Sequence, residues 1–259
     1  MKNEPEIKHR PEISRNSPLK SVYLIDLGVV PYGDAWSLQT RLVAARKDGV
    51  LEKDIFLFLE HPPVFTLGRR GGRDNLKVHD TFLASRGIEV VHIERGGDIT
   101  YHGPGQLVVY PVMDLRKARL GIKDYVTALE EVMIRAAADQ RVTAERNDLN
   151  RGVWVGMQKL GSIGIAVRHG IAFHGLAFNV NTDIEPFNWV NPCGLSGIHM
   201  TSLKQELGQE VPMEDVRRSM ACHMEEAFRV RFEKTEPADL HRMLDTGRTN
   251  NGVNPSEAL

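Results

Sequence analysis

Residues 152–180 read GVWVGMQKLGSIGIAVRHGIAFHGLAFNV, and this stretch decides the fold class of the chain. Its apolar residues fall into three runs, Gly152–Val155, Ser162–Val167 and Ile171–Val180, which predict three strands in quick succession. Strands that follow one another with no helix between them favour an α+β fold over a doubly wound parallel sheet. We therefore predict a largely antiparallel or mixed sheet.

The segments on either side fit the same architecture. Further strands are predicted at Ser21–Val30, Ile55–Leu59, Ile88–Ile93 and Gln106–Met113. Helical spacing of apolar residues predicts helices over Asp34–Lys47, around Tyr125–Ala136 and from Pro212 to Arg231. Because no repeat or long Pro/Gly/Ser linker divides the chain, we expect a single domain over residues 21–232 in which helices flank the sheet.

The two ends of the chain are polar. We expect residues 1–20 to form a flexible N-terminal arm, and we expect residues 233–259 to form a polar C-terminal tail. The N-terminal segment lacks the apolar stretch of a secretory signal, and no stretch approaches the ~20 apolar residues of a membrane helix. We therefore expect a cytoplasmic protein with no membrane partner.

The overall composition excludes two further classes of protein. There are 33 lysines and arginines against 34 aspartates and glutamates, and this balance argues against a nucleic-acid partner. The only two cysteines, Cys193 and Cys222, cannot build the disulfide framework of a small secreted domain. Any role for a cysteine is therefore that of a thiol in a reducing compartment.

Three glycine-rich segments draw attention as candidate ligand sites. They are Gly68–Arg73, Arg95–Gln106, and Gly161–Gly164 followed by His174–Asn179. None is a Walker A loop or a dinucleotide fingerprint, and spacing alone fits tight turns as well as a ligand-lining backbone. The ten histidines form no zinc motif, so we expect no metal, and His174 is predicted to be a packed, hydrogen-bonded residue on the strand face of Leu176.

The two cysteines lie in different settings. Cys222 falls on the predicted Pro212–Arg231 helix, away from its apolar stripe, and reads as incidental. Cys193 lies in a loop between Pro192 and Gly194, where the glycine leaves room for a substrate to reach the sulfur. A lone loop cysteine is more often incidental, since it becomes a nucleophile only with partners that the fold brings close.

Taken together, five blocks in order resemble the octanoyl-[acyl-carrier-protein]:protein N-octanoyltransferases, or lipoyl(octanoyl) transferases, of the biotin/lipoate protein ligase superfamily. The blocks are EHPPVFTLGR (60–69), RGGDITYHGPGQ (95–106), KLGSIG (159–164), FHGLAFNVN (173–181) and NPCG (191–194). The resemblance implies a biotin/lipoate protein ligase-like catalytic fold with its core at about residues 49–230. Arg70 and the pair Gly71-Gly72 depart from the expected pattern and could lengthen a loop over the site.

The resemblance also implies the site residues. The nucleophile corresponds to Cys193, and the lysine that activates it corresponds to Lys159. The substrate-binding residues correspond to Arg95, Gly96, Gly97, Asp98, Ile99, Thr100, Tyr101, His102, Ser162, Ile163, Gly164, Gly175, Leu176 and Ala177. Tyr101, Leu176 and Phe178 are candidates for the apolar acyl slot, although all three would serve equally well in the core.

The activity that the resemblance implies is the first step of endogenous protein lipoylation. An octanoyl group would move from octanoyl-acyl carrier protein, through an acyl-thioester on Cys193, to one lysine of a lipoyl domain. The acceptors would be the lipoyl domains of 2-oxoacid dehydrogenase complexes and the glycine cleavage H protein. Because a thioester is already activated, no cofactor is expected.

Two other functions fit the residues. One is an ATP-dependent lipoate or biotin protein ligase, whose glycine-rich loops would hold an acyl-adenylate. The other is a non-catalytic module that only docks lipoyl domains or carrier protein. Two basic clusters could receive acidic partners or could simply be solvated surface: Arg69, Arg70, Arg73 and Lys77, and Arg116, Lys117, Arg119 and Lys123.

Overall fold

A computed structural model describes residues 19–191 and 198–250, the last four of them by backbone only. The strands are β1 (Lys20–Val29), β2 (Ile55–Glu60), β3 (Val64–Leu67), β4 (Glu89–His92), β5 (Ile99–His102), β6 (Gln106–Asp114), β7 (Glu145–Asn147), β8 (Asn150–Val155), β9 (Gln158–Arg168), β10 (Ile171–Asn179), β11 (His199–Met200) and β12 (Val230–Lys234). The helices are α1 (Tyr32–Lys47), α2 (Asp80–Ala84), α3 (Ile122–Asp139), α4 (Leu203–Leu207), α5 (Met213–Phe228) and α6 (Pro237–Asn250).

Within the described chain the strands form two sheets. The larger sheet has the order β12-β1-β2-β6-β10-β9-β8-β7, with β11 paired to β9, and the smaller has the order β4-β3-β5. Pairing of β1 with β2 and β12 is parallel, whereas the run from β2 to β7 is antiparallel. The expected α+β fold with a mixed sheet flanked by helices is confirmed.

The larger sheet is buried on both faces at its centre. Every residue of β6 and β10 is buried, which fits strands covered by helices on either side. On one face, α3 and α5 pack through residues such as Tyr125, Val132 and Met220. On the other face, α1 and α6 contribute Leu42 and Leu240.

The smaller sheet sits against β9 and forms one wall of the site. Phe65 of β3 and Tyr101 of β5 pack with Phe187 in their own apolar cluster. The N–H of Gly96 donates to the carbonyl of Ile165 on β9 at 2.8 Å. Gly164 permits this approach, because a Cβ there would lie 2.8 Å from Cδ of Arg95.

The C-terminal boundary of the domain was predicted wrongly. Residues 233–250 are not a polar tail, because Val230–Lys234 pairs with β1 and the Pro237–Asn250 helix follows it. The edge strand β12, VRFEK, is held by hydrogen bonds between backbones, so its sequence does not need a run of apolar residues. The α5 helix ends at Phe228, where Arg229 adopts a left-handed conformation with φ 53°.

Residues 1–18 and 251–259 of the predicted arm and tail lie outside the described residues. Strands β3 and β5 were not predicted as strands because they are four residues long and lie inside the glycine-rich blocks. In the described part of the chain, no helix has the length and apolar character to span a membrane.

Candidate active site

A narrow cavity lies between β9–β10 of the larger sheet and the 95–102 segment of the smaller one. Most of the predicted site residues line it, namely Arg95, Gly97, Asp98, Ile99, Thr100, His102, Lys159, Ser162, Ile163, Gly164, Gly175, Leu176 and Ala177. The fold therefore brings three blocks, distant in sequence, to one place.

Two predicted substrate-binding residues do not line the cavity. Gly96 joins the smaller sheet to β9 through its N–H. The ring of Tyr101 packs against Phe65 and Phe187, with ring centroids 5.3 and 5.4 Å away. Burial raises the pKa of Tyr101 to about 12, so its hydroxyl stays protonated.

Cys193 lies outside the described residues, which stop at Asn191 and resume at Ile198. The described chain on both sides is close to the cavity. The N–H of Asn191 donates to the carbonyl of Asn75 at 2.8 Å, and Asn75 in turn binds Asp98 of the cavity wall. Ile198 itself lines the cavity.

Lys159 is 7 % exposed and is held between two strands. Its carbonyl accepts a hydrogen bond from the N–H of Thr201 at 3.0 Å. Its Nζ lies 5.4 Å from the centroid of the buried Trp154 ring, a distance suited to a cation–π contact. The predicted activating lysine is thus a mostly buried side chain on the cavity wall.

The backbone beneath Lys159 needs glycine and is held by a buried carboxylate. Gly152 has φ +126°, and a Cβ there would lie 2.8 Å from Cε of Lys159 and 2.3 Å from the carbonyl of Gly161. The N–H of Gly152 donates to Glu130 of α3 at 3.1 Å. The same Glu130 also accepts from Arg146 and Arg151. The sequence carries no signal for this support, since Glu130 lies on an amphipathic helix without any motif.

The loop of residues 68–72, which contains the unexpected Arg70, crosses the predicted substrate-binding segment of residues 95–102. The N–H groups of Arg69 and Arg70 donate to the carbonyls of Arg95 and Gly97 at 3.0 and 3.1 Å. Gly71 closes the turn, with its N–H 2.8 Å from the carbonyl of Gly68. The side chains of Arg69 and Arg70 are left exposed above this block.

Aromatic and imidazole rings form a polar wall of the cavity, consisting of Tyr32, His102, Tyr110 and His174. His61 links its two halves, with ring centroids 5.6 Å from His102 and 5.9 Å from Tyr110. Tyr32 stacks on His102 at 5.9 Å, and His174 meets Tyr110 at 6.1 Å. Tyr32 and Tyr110 were not predicted, because neither lies in a block that carried a function.

Two buried histidines of this region, His61 and His102, are neutral. His61 places Nδ1 2.7 Å from the carbonyl of Val30, so Nδ1 carries the proton and Nε2 accepts from the Tyr110 hydroxyl. Burial lowers the pKa of His61 to about 4. Burial likewise holds the pKa of His102 well below its usual range, and its Nδ1 donates to Gln106 at 2.7 Å.

The prediction for His174 was half right. The residue is packed, and its Nε2 faces the carboxylate of Glu94 at 3.7 Å, which is longer than an ordinary hydrogen bond. Its φ of 57° breaks the alternation of the strand, so the ring stacks on Phe173 at 4.9 Å instead of following the face of Leu176. Its backbone N–H donates to Oε1 of Gln39 at 2.7 Å.

The remaining candidates are placed as follows. Phe178 is a core residue that does not reach the cavity, whereas Leu176 does. Cys222 is exposed on α5, outside the cavity lining. Arg73 pairs with Asp80, and Arg116 pairs with Asp114, so these two members of the basic clusters are partly neutralised. No group of three or more metal-ligating side chains occurs in the described ranges.

Comparisons with known proteins show which family the chain resembles over most of its length. The sequence profile of the family described as Lipoyl protein ligase A/B catalytic domain matches residues 31–225. The chain is 51 % identical over 208 residues to an octanoyltransferase of Desulfotalea psychrophila, covering 80 % of this chain and 93 % of that protein. It is 43 % identical over 227 residues to an octanoyltransferase of Syntrophobacter fumaroxidans, covering 88 % and 99 % of the two chains.

Solved structures share the fold at low sequence identity. One, described as a bi-partite lipoate protein ligase and its E2 lipoyl domain from Thermoplasma acidophilum, aligns with a TM-score of 0.68 at 19 % identity, covering 89 % of this chain and 91 % of that one. Another, a lipoate-protein ligase A bound with ATP, aligns with a TM-score of 0.67 at 18 % identity, covering 90 % and 94 %.

Proposed function

The chain belongs to the lipoyl protein ligase A/B catalytic-domain family, and we propose that within this family it is an octanoyltransferase that delivers octanoyl groups to lipoyl domains. The observation that carries this proposal is the 42–51 % identity to curated octanoyltransferases over most of both chains. Relatives of that similarity are acyltransferases, and the cavity supplies a lysine-bearing, partly apolar site suited to acyl transfer.

In the first half-reaction, we propose that the Cys193 thiolate attacks the carbonyl carbon of octanoyl-acyl carrier protein. A new C–S bond to Cys193 forms, the C–S bond to the carrier arm breaks, and the carrier thiolate leaves and takes up a proton. The reaction needs the thiolate, yet a thiol of pKa ≈ 8.5 is only about 3 % ionised at pH 7. The site must therefore favour the charged form.

Lys159 is the group that we propose lowers the pKa of the Cys193 thiol. An ammonium ~4 Å from a thiolate at an effective dielectric of ~20 contributes about 4 kcal/mol, before desolvation offsets part of it. Lys159 is suited to this because it is mostly buried, against Trp154, where screening by water is reduced. Once the thiolate is acylated, the ammonium loses its counter-charge and can give up a proton more readily.

In the second half-reaction, the amine of a lipoyl-domain lysine attacks the acyl-thioester. An amide bond forms, the C–S bond to Cys193 breaks, and Lys159 accepts the proton that the amine loses. Backbone N–H groups of Leu176 and Ala177 are poor candidates for the oxyanion donors, because both residues pair with β6 on one side and with β9 on the other.

The acyl chain would lie among apolar cavity residues. Ile163, Leu176, Ala177, Phe187 and Met200 supply this surface. Burying the chain against it provides binding energy at roughly 25 cal/mol per Å² of apolar area removed from water.

The partners of the reaction are part of the proposal. The donor is octanoyl-acyl carrier protein, and the acceptors are the lipoyl domains of 2-oxoacid dehydrogenase complexes and the glycine cleavage H protein. A reducing compartment such as the cytoplasm, which we propose as the location, would keep Cys193 as a thiol.

The test is the intact mass of the protein after incubation with octanoyl-carrier protein in the absence of ATP. We expect an octanoyl adduct that is retained in Cys222→Ala and lost in Cys193→Ala, and that disappears when a lipoyl domain is added. A strict requirement for ATP would instead support an ATP-dependent ligase. The ATP-bound lipoate-protein ligase A has the same fold as this chain. Binding of either partner without any turnover would support the docking module.

A further inference from the structure

A chain of buried hydrogen bonds runs behind the cavity from one wall to the other. It begins at Arg95, whose guanidinium donates to Oγ1 of Thr66 at 2.8 Å. The Thr66 hydroxyl lies 3.4 Å from Nε2 of His102, and Nδ1 of His102 donates to Oε1 of Gln106 at 2.7 Å. All four residues are buried, so water competes little for these bonds and their electrostatic strength is high.

Asn179 carries this chain across to the wall of Lys159. It lies opposite Gln106 in the pairing of β10 with β6, and its Oδ1 accepts from Nε2 of Gln106 at 2.9 Å. Its Nδ2 donates to the carbonyl of Thr201 at 2.9 Å. The N–H of Thr201 donates in turn to the carbonyl of Lys159 at 3.0 Å. Both ends of the Asn179 amide are therefore used, and the amide joins the two walls.

The direction of the chain is fixed by its end at Thr201. Because a backbone carbonyl can only accept, the Asn179 amide has to present Nδ2 to it and Oδ1 to Gln106. Gln106 then has to present Oε1 to His102, which places the ring proton of His102 on Nδ1. One orientation of each group satisfies all of these bonds, and such fully satisfied buried networks hold their members in a single arrangement.

The backbone of Lys159 depends on this support because the sheet is irregular beside it. The pairing of β8 with β9 shifts by one residue at this point, so Leu160 has no partner on β8. Irregularities of this kind interrupt pairing and re-aim the neighbouring side chains. On its other side Lys159 pairs with β11, which is only two residues long. Thr201 directly follows β11, so the bond from Asn179 to Thr201 holds this short strand in place.

We infer that Asn179 is a positioning residue of the proposed acyl transfer, because it holds β11 against Lys159 and thereby fixes the lysine side chain at the cavity. Asn179 is 1 % exposed and is not among the residues that line the cavity, so it acts through Thr201 and not on the substrate. This inference rests on the proposed function, and it assigns a role in that reaction to a buried amide behind the cavity wall.

The expected effect is a change in how strongly Lys159 favours the Cys193 thiolate. At ~4 Å and an effective dielectric of ~20, the Coulomb energy of two unit charges falls by about a fifth when their separation grows by ~1 Å. This loss corresponds to about 0.6 of a pKa unit. We therefore expect Asn179→Ala to raise the apparent pKa for alkylation of Cys193 by about 0.6 unit, which is less than the effect of removing the ammonium itself.

The test measures the alkylation rate against pH in the full-length chain carrying Cys222→Ala, so that Cys193 is its only thiol. Asn181→Ala is the matched control. The Asn181 amide also makes two hydrogen bonds, to the carbonyl and the N–H of Val211 at 2.8 and 2.9 Å, but Val211 is not part of the cavity lining. The alkylation curve of Asn181→Ala should superimpose on that of the wild type.

Lys159→Ala completes a double-mutant cycle. If Asn179 acts through Lys159, then Asn179→Ala should raise the apparent pKa no further once Lys159 is already alanine. Asn179→Thr is a second variant in case Asn179→Ala does not fold. Threonine suits a strand and fills more of the space, but its hydroxyl lies closer to the backbone than Nδ2 does and does not reach the Thr201 carbonyl. It should raise the apparent pKa in the same direction.

The outcomes separate this inference from the proposed function. A wild type that transfers octanoyl, with unchanged alkylation curves in Asn179→Ala and Asn179→Thr, overturns the positioning role and leaves the proposed function standing. An equal shift in Asn181→Ala, or a shift that persists in the Lys159→Ala background, also overturns the positioning role alone. A wild type that transfers no octanoyl group overturns the proposed function, and with it the reaction that Asn179 would serve.

Discussion

Replacing Glu130 by glutamine should weaken the protein far more than the same change one residue later at Glu131. Glu130 is 1 % exposed, and its carboxylate accepts hydrogen bonds from Gly152, Arg146 and Arg151 at 3.1, 3.3 and 3.0 Å. Glutamine keeps the shape but removes the charge and directs an NH₂ group at two guanidinium groups.

The size of the effect follows from these contacts. A hydrogen bond to a charged group contributes about 1.5–3 kcal/mol, and breaking a buried pair costs about 3–5 kcal/mol. Because Arg146 and Arg151 are themselves about half exposed, with 41 and 48 % of their side chains accessible, water can take over part of the loss. We therefore expect the free energy of unfolding to fall by about 2–3 kcal/mol in Glu130→Gln. Glu131 pairs with Arg135 and Arg146 at the surface, so its loss should cost about 0.2–1 kcal/mol.

The assay is urea unfolding of both variants, followed by the rate of octanoyl transfer under conditions where each is folded. Because Glu130 holds the backbone of Gly152 beneath Lys159, Glu130→Gln should also lower kcat while Glu131→Gln leaves it unchanged. Equal losses of stability in the two variants would refute the buried role of Glu130. A destabilised Glu130→Gln with wild-type kcat would refute its link to Lys159.

Lys159→Ala should raise the apparent pKa for alkylation of Cys193 by about 1–2 units, because the ammonium that favours the thiolate is gone. Superimposable pH–rate curves for variant and wild type would contradict the proposal that Lys159 activates Cys193. His61 has its pKa lowered by burial to about 4 in the folded state against 6.5 when unfolded, so the unfolded chain binds the proton first as pH falls. Its contribution of about 3 kcal/mol to the free energy of unfolding is therefore complete above pH 6.5 and is lost between pH 6.5 and 4. In His61→Gln the free energy of unfolding should fall less steeply across this pH range. A fall as steep as that of the wild type would assign the pH dependence to other groups. Leu240→Ala should lower the free energy of unfolding by about 2–4 kcal/mol, since Leu240 is buried against α1. Arg242→Ala on the exposed face of the same helix should change it by no more than about 0.5 kcal/mol, and similar values for both would mean that α6 does not pack on the domain.

Short-range patterns in the sequence were enough for the fold class and for the location of the main elements. Apolar runs and helical spacing are local properties, and they predicted the strands from β8 to β10 and the long helices with small shifts of boundary. They failed at β12 and α6, where the fold depends on pairing with β1 and on packing against α1. Those contacts join residues about 200 positions apart and leave no periodic signal in either segment.

The residues that carry the proposed chemistry were likewise accessible from the sequence, because they lie in contiguous glycine-rich blocks that resemble a known family. The tertiary structure decided how those blocks meet around a cavity, and which residues outside them take part. The places of Tyr32, Tyr110 and Glu130 in and around the site are known only from the tertiary structure, since a tyrosine or a glutamate has no special sequence pattern until its neighbours are known.

His174 shows the same division within one residue. In the sequence it lies next to Gly175, which lines the cavity. Alternation along the strand, however, predicted that its ring would lie on the same face of the sheet as Leu176, and this was wrong. Only the three-dimensional structure sets Pro111 opposite it and Gln39 beneath its N–H, and these two neighbours hold the left-handed backbone that directs the ring to the polar wall. Local sequence determined which residues could do chemistry, while long-range pairing decided where their side chains point.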